Sequence, residues 1–479
     1  MSQTTCIRNA AWIIAWDAAA GQHLYLRDAD LAFCGNAIVH VGKIYQGAAD
    51  TVIDGRDLML MPGLVDIHSH PSTEPFFRGI REEHGVPAMF MSGLYERSVA
   101  FRTDAEGRRA GKTVAYCEML RTGITSVADL SGNDPGWIDL AAQSGLRVFL
   151  APGYASARWH LENEWQLKYV WDEAAGQRGF RDALALIEDA RQHPSGRLSG
   201  IVFPAQIDTC TEALLRESWE AAQARDLPFT THCAQSVNEF NEMISRHGKT
   251  PIRWARDIGL LGPRCILGHA IFTGEHSWTN WHAHDDVRIL AETGTSVAHC
   301  PSPFARYGHM LEDFGRYRRA GVNIGFGTDV SPHNLIEEMR LAAILARVAA
   351  RDITTTSTAA IFHAATIGGA TALGRDDIGR LAAGARADLV LVDLTNPFMR
   401  PARDPLRSLV YTAADRAVHT VFVDGEKVVE GGRVLTMDHD DALGLLAEAQ
   451  ARMMADTPNH DWAQRRAEDI VPLSLPMGE

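Results

Sequence analysis

Long hydrophobic runs are missing from this sequence. No apolar stretch reaches the length that a bilayer-spanning helix needs, and the start of the chain, MSQTTCIRNAAWIIAWDAAAG, has neither the basic residues nor the small-residue cleavage site of a secretory signal. Cysteine is scarce and scattered: the seven cysteines include no CxxC pair, which argues against a disulfide framework and against a zinc knuckle. We therefore expect a cytoplasmic protein that has no membrane partner.

Positive charge is also in deficit. Lysine and arginine total 46 residues against 60 acidic ones, and the net charge of −14 would repel a phosphate backbone. This balance argues against nucleic acid as a partner. The apolar fraction of 46% and the charged fraction of 22% are typical of a globular enzyme, so we expect a small-molecule substrate.

Short β-rich apolar runs, each followed by a longer amphipathic stretch, repeat through the middle of the chain. Eight such runs are present: LMLMPGLVDIH, GITSVADL, LRVFLAP, LSGIVFP, LPFTTH, CILGHA, TSVAHC and VNIGFGTD. Eight strand–helix units can close on themselves as a (β/α)8 barrel, which needs ~250 residues or more. The sequence therefore predicts an α/β protein with a TIM-like catalytic barrel over residues 61–375.

The two ends of the chain contain a different pattern. Residues 1–60 consist of short predicted strands and turns, and residues 376–437 contain two further β segments with a DG hairpin signal. We expect these two parts to form one small β-sandwich domain. Residues 438–479 follow as a helix, predicted over 440–456, and a tail.

A pair of histidines ends the first of the eight runs. In PGLVDIHSH, His68 and His70 alternate along a predicted strand, so both imidazoles face the same side and can ligate one metal ion. HxH alone is a weak signal in a chain with 20 histidines. His282 and His284 in WHAHDD form the same pattern, but they follow no predicted strand and are expected to be solvated surface residues.

Further polar residues end four of the later runs. His232 ends the fifth run, His269 the sixth, His299 the seventh and Asp329 the eighth. The carboxyl ends of barrel strands meet at one face, where the active sites of this architecture lie. Imidazoles and a carboxylate that converge in a buried layer are costly without a cation. The sequence therefore predicts a metal site at this face.

These motifs resemble the amidohydrolase superfamily. The run PGLVDIHSH, the histidines of the fifth and sixth runs and the GTD of the eighth carry the likeness, which extends over nearly the whole chain. HCPSPFARYG, GTDVSPHNLIEEMRLA and GRLAAGARADLVLVD are similar to the branch that contains triazine hydrolases, cytosine and guanine deaminases and chlorohydrolases. The resemblance implies one divalent metal ion with four ligands, namely His68, His70, His232 and Asp329. It also implies that His269 lies beside the attacking water or the substrate, and that the protein is a homo-oligomer.

The fourth run bears on the number of metal ions. By the same resemblance, two-metal members of the superfamily place a carboxylated lysine or a glutamate there, and LSGIVFPAQIDTC contains neither. One metal ion is therefore expected. Zinc suits a site of histidine and carboxylate ligands with one open position, and iron, manganese and cobalt are also compatible with these ligands.

The predicted ligands lead to a reaction mechanism. A metal with an open position lowers the pKa of its bound water from about 15.7 towards ~7, which makes hydroxide available at neutral pH. Asp329 is expected to act first as general base and then as general acid. His269 is expected to polarise the electrophilic group or to hold the hydroxide.

One position departs from the pattern of the relatives. In the deaminases and triazine hydrolases that this chain resembles, a glutamate three residues after the fifth-strand histidine carries protons to a ring nitrogen, and Gln235 occupies that position here. Glutamine cannot transfer a proton. Either another group replaces it, with Glu74, Glu82, Glu83 and His84 as candidates, or the reaction needs no ring protonation.

This departure favours hydrolysis of a C–N bond in a small amide, urea or carbamate, for which metal polarisation and Asp329 suffice. The alternative is an aminohydrolase or chlorohydrolase that acts on an N-heterocycle such as a triazine, pyrimidine or purine. A third hypothesis, of another class, is a catalytically silent barrel that binds a ligand.

Two insertions, residues 71–110 and 153–180, are expected at the mouth of the barrel, where loops carry function. They bring aromatic side chains that could line a pocket for a flat ligand, although packing of the loops explains any single one equally well. The residues predicted to bind substrate are Gln235, His299, Glu74, Glu83, Phe77, Trp159 and His333.

Overall fold

The structure, a computed structural model, describes residues 3–80, 85–90 and 93–478. Its β-strands, numbered in chain order, are β1 (Thr4–Ala10), β2 (Trp12–Asp17), β3 (Gln22–Leu26), β4 (Ala29–Cys34), β5 (Ala37–Gly42), β6 (Thr51–Asp54), β7 (Leu58–Pro62), β8 (Leu64–Ser69), β9 (Ile124–Ser131), β10 (Arg147–Tyr154), β11 (Ala157–Leu161), β12 (Leu167–Trp171), β13 (Leu198–Gly200), β14 (Phe203–Pro204), β15 (Phe229–Cys233), β16 (Cys265–His269), β17 (Ser296–His299), β18 (Ile324–Phe326), β19 (Leu389–Asp393), β20 (Val418–Val423), β21 (Glu426–Glu430) and β22 (Arg433–Val434).

The α-helices are α1 (Leu94–Ala100), α2 (Ala105–Arg121), α3 (Trp137–Ser144), α4 (Glu173–Arg191), α5 (Glu212–Ala224), α6 (Val237–His247), α7 (Pro251–Asp257), α8 (Asp286–Thr293), α9 (Pro301–Ala305), α10 (Phe314–Ala320), α11 (Leu335–Ala350), α12 (Thr358–His363), α13 (Gly369–Ala372), α14 (Pro405–Ser408), α15 (His439–Asp456) and α16 (Ala467–Ile470). Within the described ranges, none of these helices has the length and apolar character that crossing a membrane requires.

The strands in the middle of the chain are paired in parallel. One set runs in the order β13–β10–β9–β8, with β14 also paired to β10, and the other runs in the order β15–β16–β17–β18. Parallel bridges join the two sets at both ends, from Val202 to Phe229 and from Ser69 to Asp329. Each of the eight predicted runs contains at least one of these strands, and helices separate them. The predicted α/β class is therefore confirmed.

The first predicted run is divided between two sheets. Its first half is β7, which pairs with β2 and β19, and its second half is β8, which begins the parallel set. Gly63 lies at the division, where a Cβ atom would come within 2.0 Å of Oγ1 of Thr125. The chain therefore passes from one sheet to the other at a glycine, because a side chain at this position would collide with Thr125. The apolar run alone does not reveal this close contact.

Both ends of the chain contribute to a pair of sheets beside the parallel strands. Four strands form the sheet β5–β4–β1–β6, and seven form the sheet β22–β21–β20–β19–β7–β2–β3. Residues of both sheets, including Ile7, Phe33, Leu389 and Phe422, share one buried apolar cluster. The N-terminal and C-terminal segments therefore pack against each other.

The last long helix packs against the insertion that follows β8. Helix α15 begins at His439, where the side chain of Asp438 accepts a hydrogen bond from a first-turn backbone N–H, and it ends at Asp456, which confirms the helix predicted over 440–456. Leu446 and Met453 of this helix share a buried apolar cluster with residues of α2 and of the insertion. The C-terminal segment thus helps to hold a loop that borders the candidate site.

Candidate metal centre

Three histidine rings meet at the carboxyl ends of β8 and β15. His68 lies on β8 and His70 directly follows it, and their ring centroids are 5.2 Å apart. His232, on β15, stacks on His70 with centroids 5.2 Å apart and lies edge-on to His68 at 4.8 Å. The fold therefore brings the predicted HxH pair and the fifth-strand histidine together.

The hydrogen bonds of two of these rings define their tautomers. Nδ1 of His70 donates to the carbonyl oxygen of Leu130 at 2.9 Å, and Nδ1 of His232 donates to that of Ala205 at 2.6 Å. Because a neutral imidazole has one N–H, both Nε2 atoms then carry lone pairs. These two Nε2 atoms face each other at 3.2 Å. Two lone pairs at this separation repel unless a cation lies between them.

Asp329 brings a carboxylate to the same point. Its Oδ1 lies 3.3 Å from Nε2 of His70 and 3.6 Å from Nε2 of His68. Two ligand atoms that are each ~2.1 Å from a tetrahedral ion are ~3.4 Å apart, which agrees with these separations. Within the described ranges, both ring nitrogens of His68 are buried without a hydrogen-bond partner. The donor set and its spacing therefore fit a divalent ion.

Burial keeps the imidazoles of His68 and His232 neutral. It lowers the pKa of His232 to about 3, with further contributions from His70 and His269. The pKa of His68 is also lowered well below its ordinary value, by burial first and by the surrounding histidines second. Because the neutral imidazole is the form that ligates metals, the rings are in the ligating form at neutral pH.

The backbone at Asp329 lies in the left-handed region, with a φ of 58°. Its N–H donates to the carbonyl of His68 at 2.8 Å, and its carbonyl accepts from the N–H of His70 at 3.2 Å. A non-glycine residue in this region costs of order 1–3 kcal/mol, and such strain clusters at functional sites. The end of β8 thus positions both its own histidines and the carboxylate that follows β18.

A buried polar layer lies beneath the ligands. The carboxylate of Asp66 accepts a hydrogen bond from Oγ1 of Thr328 at 2.6 Å. Nδ1 of His333 lies 3.1 Å from Oγ of Ser69 and 3.1 Å from Oγ1 of Thr328. These contacts tie β8 to the residue that precedes Asp329. Burial raises the pKa of the Asp66 carboxyl to about 7.

Two glycines leave room for the His68 ring. A Cβ atom on Gly268 would lie 2.5 Å from Cε1 of His68, and one on Gly327 would lie 2.6 Å from its Cβ. Side chains at these two strand ends would push the ring away from the other ligands. The glycines in CILGHA and GFGTD are therefore steric requirements of the site.

A cavity of about 160 Å³ opens onto these residues, and we call it the metal cavity. His269 lies on its wall, with its ring centroid 4.6 Å from that of His68 and 4.5 Å from that of Phe304. Burial lowers the pKa of His269 well below its ordinary value. The described wall consists of His70, Thr73, Glu74, Leu94, Arg97, Ser98, Trp159, Gln206, His232, Gln235, His269, Pro303, Phe304, Tyr307, His309 and Asp329.

Gln235 lies on this wall, and its Nε2 is buried with no hydrogen-bond partner among the described residues. The carboxylate of Glu239 accepts hydrogen bonds from the backbone N–H groups of Ala234 at 2.5 Å and of Gln235 at 3.0 Å. Glu239 therefore holds the turn after β15. The position of residue 235 is therefore fixed by the hydrogen bond from its backbone to Glu239 and not by its own side chain.

Glu74 also lines the metal cavity, but its carboxylate is bound to a cation. Nη1 of Arg97 lies 2.9 and 3.1 Å from the two oxygens of Glu74, and both side chains are buried. These oxygens are engaged by the guanidinium group. The other candidates for the missing proton donor, Glu82, Glu83 and His84, lie outside the described residues.

The aromatic residues predicted to bind substrate are divided between two places. Trp159 is on the wall of the metal cavity, and its Nε1 donates to Oδ2 of Asp208 at 3.1 Å. Phe77 is away from this wall, packed against Phe101 and beneath the guanidinium of Arg97. Only Trp159 of this pair is therefore positioned to meet the reacting group.

His299 and His333 do not line the metal cavity, although the sequence predicts that both residues bind substrate. The His299 ring packs against Phe314 and Phe326, with centroids 6.1 and 5.6 Å away. His333 is fully buried in the polar layer beneath the ligands. His299 ends β17, as predicted, and His333 follows β18, but the direction of each side chain depends on packing that the sequence does not display.

The wall also contains residues that sequence reasoning missed, namely Arg97, Gln206, Phe304, Tyr307 and His309. A signal was present for Gln206, because it follows the fourth predicted run and forms a parallel bridge with His232. Nε2 of His309 donates to the carbonyl of Phe90 at 2.7 Å. That contact joins two distant segments and could not be read from either.

The second HxH pair lies at the surface, as predicted. His282 and His284 are exposed and lie outside any strand. Cys233 is buried, and burial raises the pKa of its thiol well above the ordinary value, which fits a small apolar residue and not a nucleophile. The seven cysteines are all free thiols.

Comparison with known proteins places these observations in a family. Residues 59–428 match the sequence profile of the amidohydrolase family. The chain is 29% identical over 410 residues to a 5-methylthioadenosine/S-adenosylhomocysteine deaminase of Thermococcus onnurineus (strain NA1), an alignment that covers 85% of this chain and 91% of the relative. It is 27% identical over 453 residues to a 5'-deoxyadenosine deaminase of Methanosarcina mazei, with 94% and 98% covered.

Two solved structures are similar over almost the entire chain. An adenosine deaminase from Xanthomonas campestris with bound zinc matches with a TM-score of 0.79 at 25% identity, over 94% of this chain and 98% of that one. The atrazine chlorohydrolase from Arthrobacter aurescens TC1 complexed with zinc matches with a TM-score of 0.78 at 25% identity, over 93% and 100%. The matched span and the converging ligand set together show that this chain belongs to the amidohydrolase family and is a metal-binding hydrolase that acts on carbon–nitrogen bonds.

Proposed function

We propose that one divalent ion, with zinc as the favoured metal, is held by four residues: His68, His70, His232 and Asp329. The unpartnered nitrogens of His68 and the short Nε2–Nε2 separation support this assignment. The two similar solved structures contain zinc. A single ion is supported by the fourth run, LSGIVFPAQIDTC, which has neither lysine nor glutamate.

We further infer that the parallel strands form the predicted (β/α)8 barrel and that the two end sheets form the predicted β-sandwich. The bridges at both ends of the two parallel sets support closure of the barrel. The apolar cluster shared by the end sheets supports the sandwich. In such a barrel the site lies at the carboxyl ends of the strands, where the proposed ligands are found.

Each catalytic group has one task in the proposed mechanism. The four proposed ligands would hold a divalent ion, which when bound would lower the pKa of water from about 15.7 to ~7 and so make a nucleophile available at neutral pH. The carboxylate of Asp329 accepts a proton from the attacking water and delivers it to the leaving nitrogen. His269 donates a hydrogen bond to the oxygen on which negative charge develops. The C–N bond is replaced by a C–O bond, and the amine departs with the proton.

We propose that the substrate is an amide, urea or carbamate, and the observation that carries this choice is Gln235. Its amide can donate a hydrogen bond to a carbonyl oxygen, but it cannot pass a proton to a ring nitrogen. Glu74 is bound to Arg97. Asp329 is then the remaining carboxylate on the described part of the wall, and hydrolysis of a carbonyl compound requires only that one.

The second candidate is release of ammonia from an N-heterocycle. It is favoured by the names of the relatives, which include deaminases of 5-methylthioadenosine and of 5'-deoxyadenosine. That reaction requires protonation of the ring as well as proton transfer to the leaving group. In this chain the second donor would have to come from a residue other than Gln235.

A substrate panel on the metal-loaded protein separates the two candidates. Acyl anilides, phenylureas and phenylcarbamates release an aromatic amine, whereas 5'-deoxyadenosine and 5-methylthioadenosine release ammonia, and a chlorotriazine releases chloride. We expect amine release from at least one carbonyl class, and neither ammonia from the nucleosides nor chloride from the triazine above the rate of the metal-free protein. Release of ammonia or chloride without release of amine would contradict the proposal.

The variant Gln235→Glu provides a matched test at the deciding position. A carboxyl group there adds a proton donor, which is worth about 10²–10⁴-fold where proton transfer limits the rate. We therefore expect ammonia release from the nucleosides to appear or rise, with no gain in amine release from the carbonyl compounds. A similar rise in both would mean that residue 235 limits carbonyl hydrolysis too, against the proposed division of roles.

A further inference from the structure

A second and larger cavity adjoins the metal cavity. Its volume is about 550 Å³, against about 160 Å³ for the metal cavity. Both cavities are lined by Thr73, Ser98, Trp159 and Gln206. Drug-sized ligands occupy pockets of about 300–1,000 Å³, a range that the metal cavity alone does not reach. A substrate of that size would extend past its reacting group into the second cavity.

Three cationic side chains line the second cavity, and we call it the arginine chamber. They are Arg102, Arg108 and Arg158. The part of its wall that the structure describes contains no aspartate or glutamate, although the whole chain has a net charge of −14. A concave surface lined by one sign of charge concentrates ions of the opposite sign. The chamber is therefore suited to an anion.

The three guanidinium groups differ in how far they are already engaged. Nε of Arg108 lies 2.7 Å from Oδ1 of Asp134, so its charge is shared with that carboxylate. Nε of Arg102 donates to the backbone carbonyl of Val99 at 3.2 Å. The side chain of Arg158 has no hydrogen bond or ion pair within the described ranges, and Arg102 and Arg158 are both exposed. The guanidinium groups of these two residues are therefore available to bind a ligand.

Apolar side chains form much of the remaining wall. They are Phe76, Phe77, Val99, Phe101 and Met453. Such side chains suit methylene groups or an aromatic ring. Phe77, which the sequence predicts to bind substrate, is placed here and not beside the metal ligands. The chamber thus combines an apolar passage with cationic groups.

We propose that the arginine chamber binds the anionic end of an elongated substrate whose C–N bond is hydrolysed in the metal cavity. The substrate class is an amide, urea or carbamate with an apolar arm that ends in a carboxylate or a phosphate, since guanidinium groups bind both through charge-assisted hydrogen bonds. This inference rests on the proposed function for the reacting group. Binding of the anion, however, can be measured without the reaction.

Calorimetric titration of simple amphiphiles tests the chamber directly. Octanoate, octyl phosphate and the neutral reference octanol are titrated into metal-loaded and metal-free protein. We expect at least one of the two anions to bind about tenfold more tightly than octanol in both forms, with a preference that falls as salt rises. The tighter anion identifies the end group. Loss of anion binding on removal of the metal would show that the metal holds the anion, and would overturn the proposal.

The double variant Arg102→Ala, Arg158→Ala removes the two cations and leaves Arg108 on Asp134. We expect the anion affinity to fall about tenfold, and the corresponding double lysine variant to keep part of it because the charge remains. Arg181→Ala is the matched control, since Arg181 is exposed on α4 and is not part of the chamber wall. An unchanged affinity in the double alanine variant, or an equal loss in the control, would overturn the proposal.

A pair of substrates distinguishes failure of the chamber from failure of the proposed function. An acyl anilide with an alkyl carboxylate arm is compared with its methyl ester, and we expect kcat/KM to favour the acid by about tenfold. Equal values for the two would overturn the chamber proposal. If neither compound is hydrolysed while arginine-dependent octanoate binding persists, the chamber stands and the proposed amide-type reaction does not.

Discussion

The two ends of the parallel strands bury polar groups in opposite ways. At the amino end, where β10 begins, the guanidinium of Arg147 is 2% exposed and lies 3.2 Å from Asp388 and 3.0 Å from Asp424. At the carboxyl end, His68 is fully buried, and neither of its ring nitrogens has a hydrogen-bond partner in the part of the chain that the structure describes. The charge of Arg147 is thus compensated by carboxylates of the chain, whereas the ring nitrogens of His68 have no such compensation there.

This difference separates a structural role from a binding role. Burial of a charged or polar group is costly unless a partner compensates it. The chain supplies the partners at the amino end, so Arg147 joins the parallel strands to the end sheets. At the carboxyl end the missing partner is a cation. Burial alone therefore does not identify a functional site; uncompensated ligand atoms that converge on one point do.

The largest effect is expected from His232→Asn, which removes one ligand at the uncompensated end. A bound metal contributes several kcal/mol to the transition state, so we expect kcat/KM to fall by ~10³-fold or more, since each ~1.4 kcal/mol is tenfold. Metal content, measured by mass spectrometry of the purified protein, should fall with it. His284→Asn, in the exposed HxH, is the control and should keep both. A fully active, metal-loaded His232→Asn protein would refute the ligand assignment.

A smaller effect, on stability alone, is expected from Arg147→Ala at the compensated end. The variant leaves Asp388 buried without its cation, and breaking a buried ion pair in this way costs ~3–5 kcal/mol. Urea unfolding should show that loss while metal content per folded molecule stays unchanged. The exposed pair of Arg56 and Asp54 provides the control, and Arg56→Ala should leave the midpoint where it is. Unchanged stability in Arg147→Ala would remove the distinction between the two ends.

The smallest effect is expected from His333→Ala, in the layer beneath the ligands. The His333 ring forms hydrogen bonds with Ser69 and Thr328, and neither of those two residues is a proposed metal ligand. Groups that orient metal ligands are worth about 10–100-fold in metal affinity, and we expect the lower end, about tenfold. Competition with a chelator measures it, with the exposed His419→Ala as control. An unaltered metal affinity would show that the layer does not position the ligands.

Much of the fold followed from local patterns, because the information is local. A short apolar run bounded by turn residues indicates a strand wherever it occurs, and all eight predicted runs contain one. The same holds for the HxH pair, since alternation on a strand fixes where His68 and His70 point. The C-terminal helix was predictable from its apolar spacing and from the cap at Asp438.

The remaining features depend on partners that are distant in the chain. The division of the first run at Gly63 reflects contact with Thr125. The engagement of Glu74 depends on Arg97, and the burial of His333 depends on Ser69. Each requires knowledge of which segments meet, and a single sequence shows only what each segment contains. The arginine chamber was invisible for the same reason, because Arg158 on β11 is distant in the chain from Arg102 and from Arg108 on α2.

The turn after β15 has a consequence for how such an enzyme can change. The Glu239 carboxylate binds backbone N–H groups of this turn, so the backbone at position 235 would be the same with glutamine as with glutamate. A glutamine codon becomes a glutamate codon by one nucleotide replacement. One substitution at position 235 would then convert chemistry on carbonyl compounds into chemistry on aromatic rings, or the reverse, with no change in the rest of the fold.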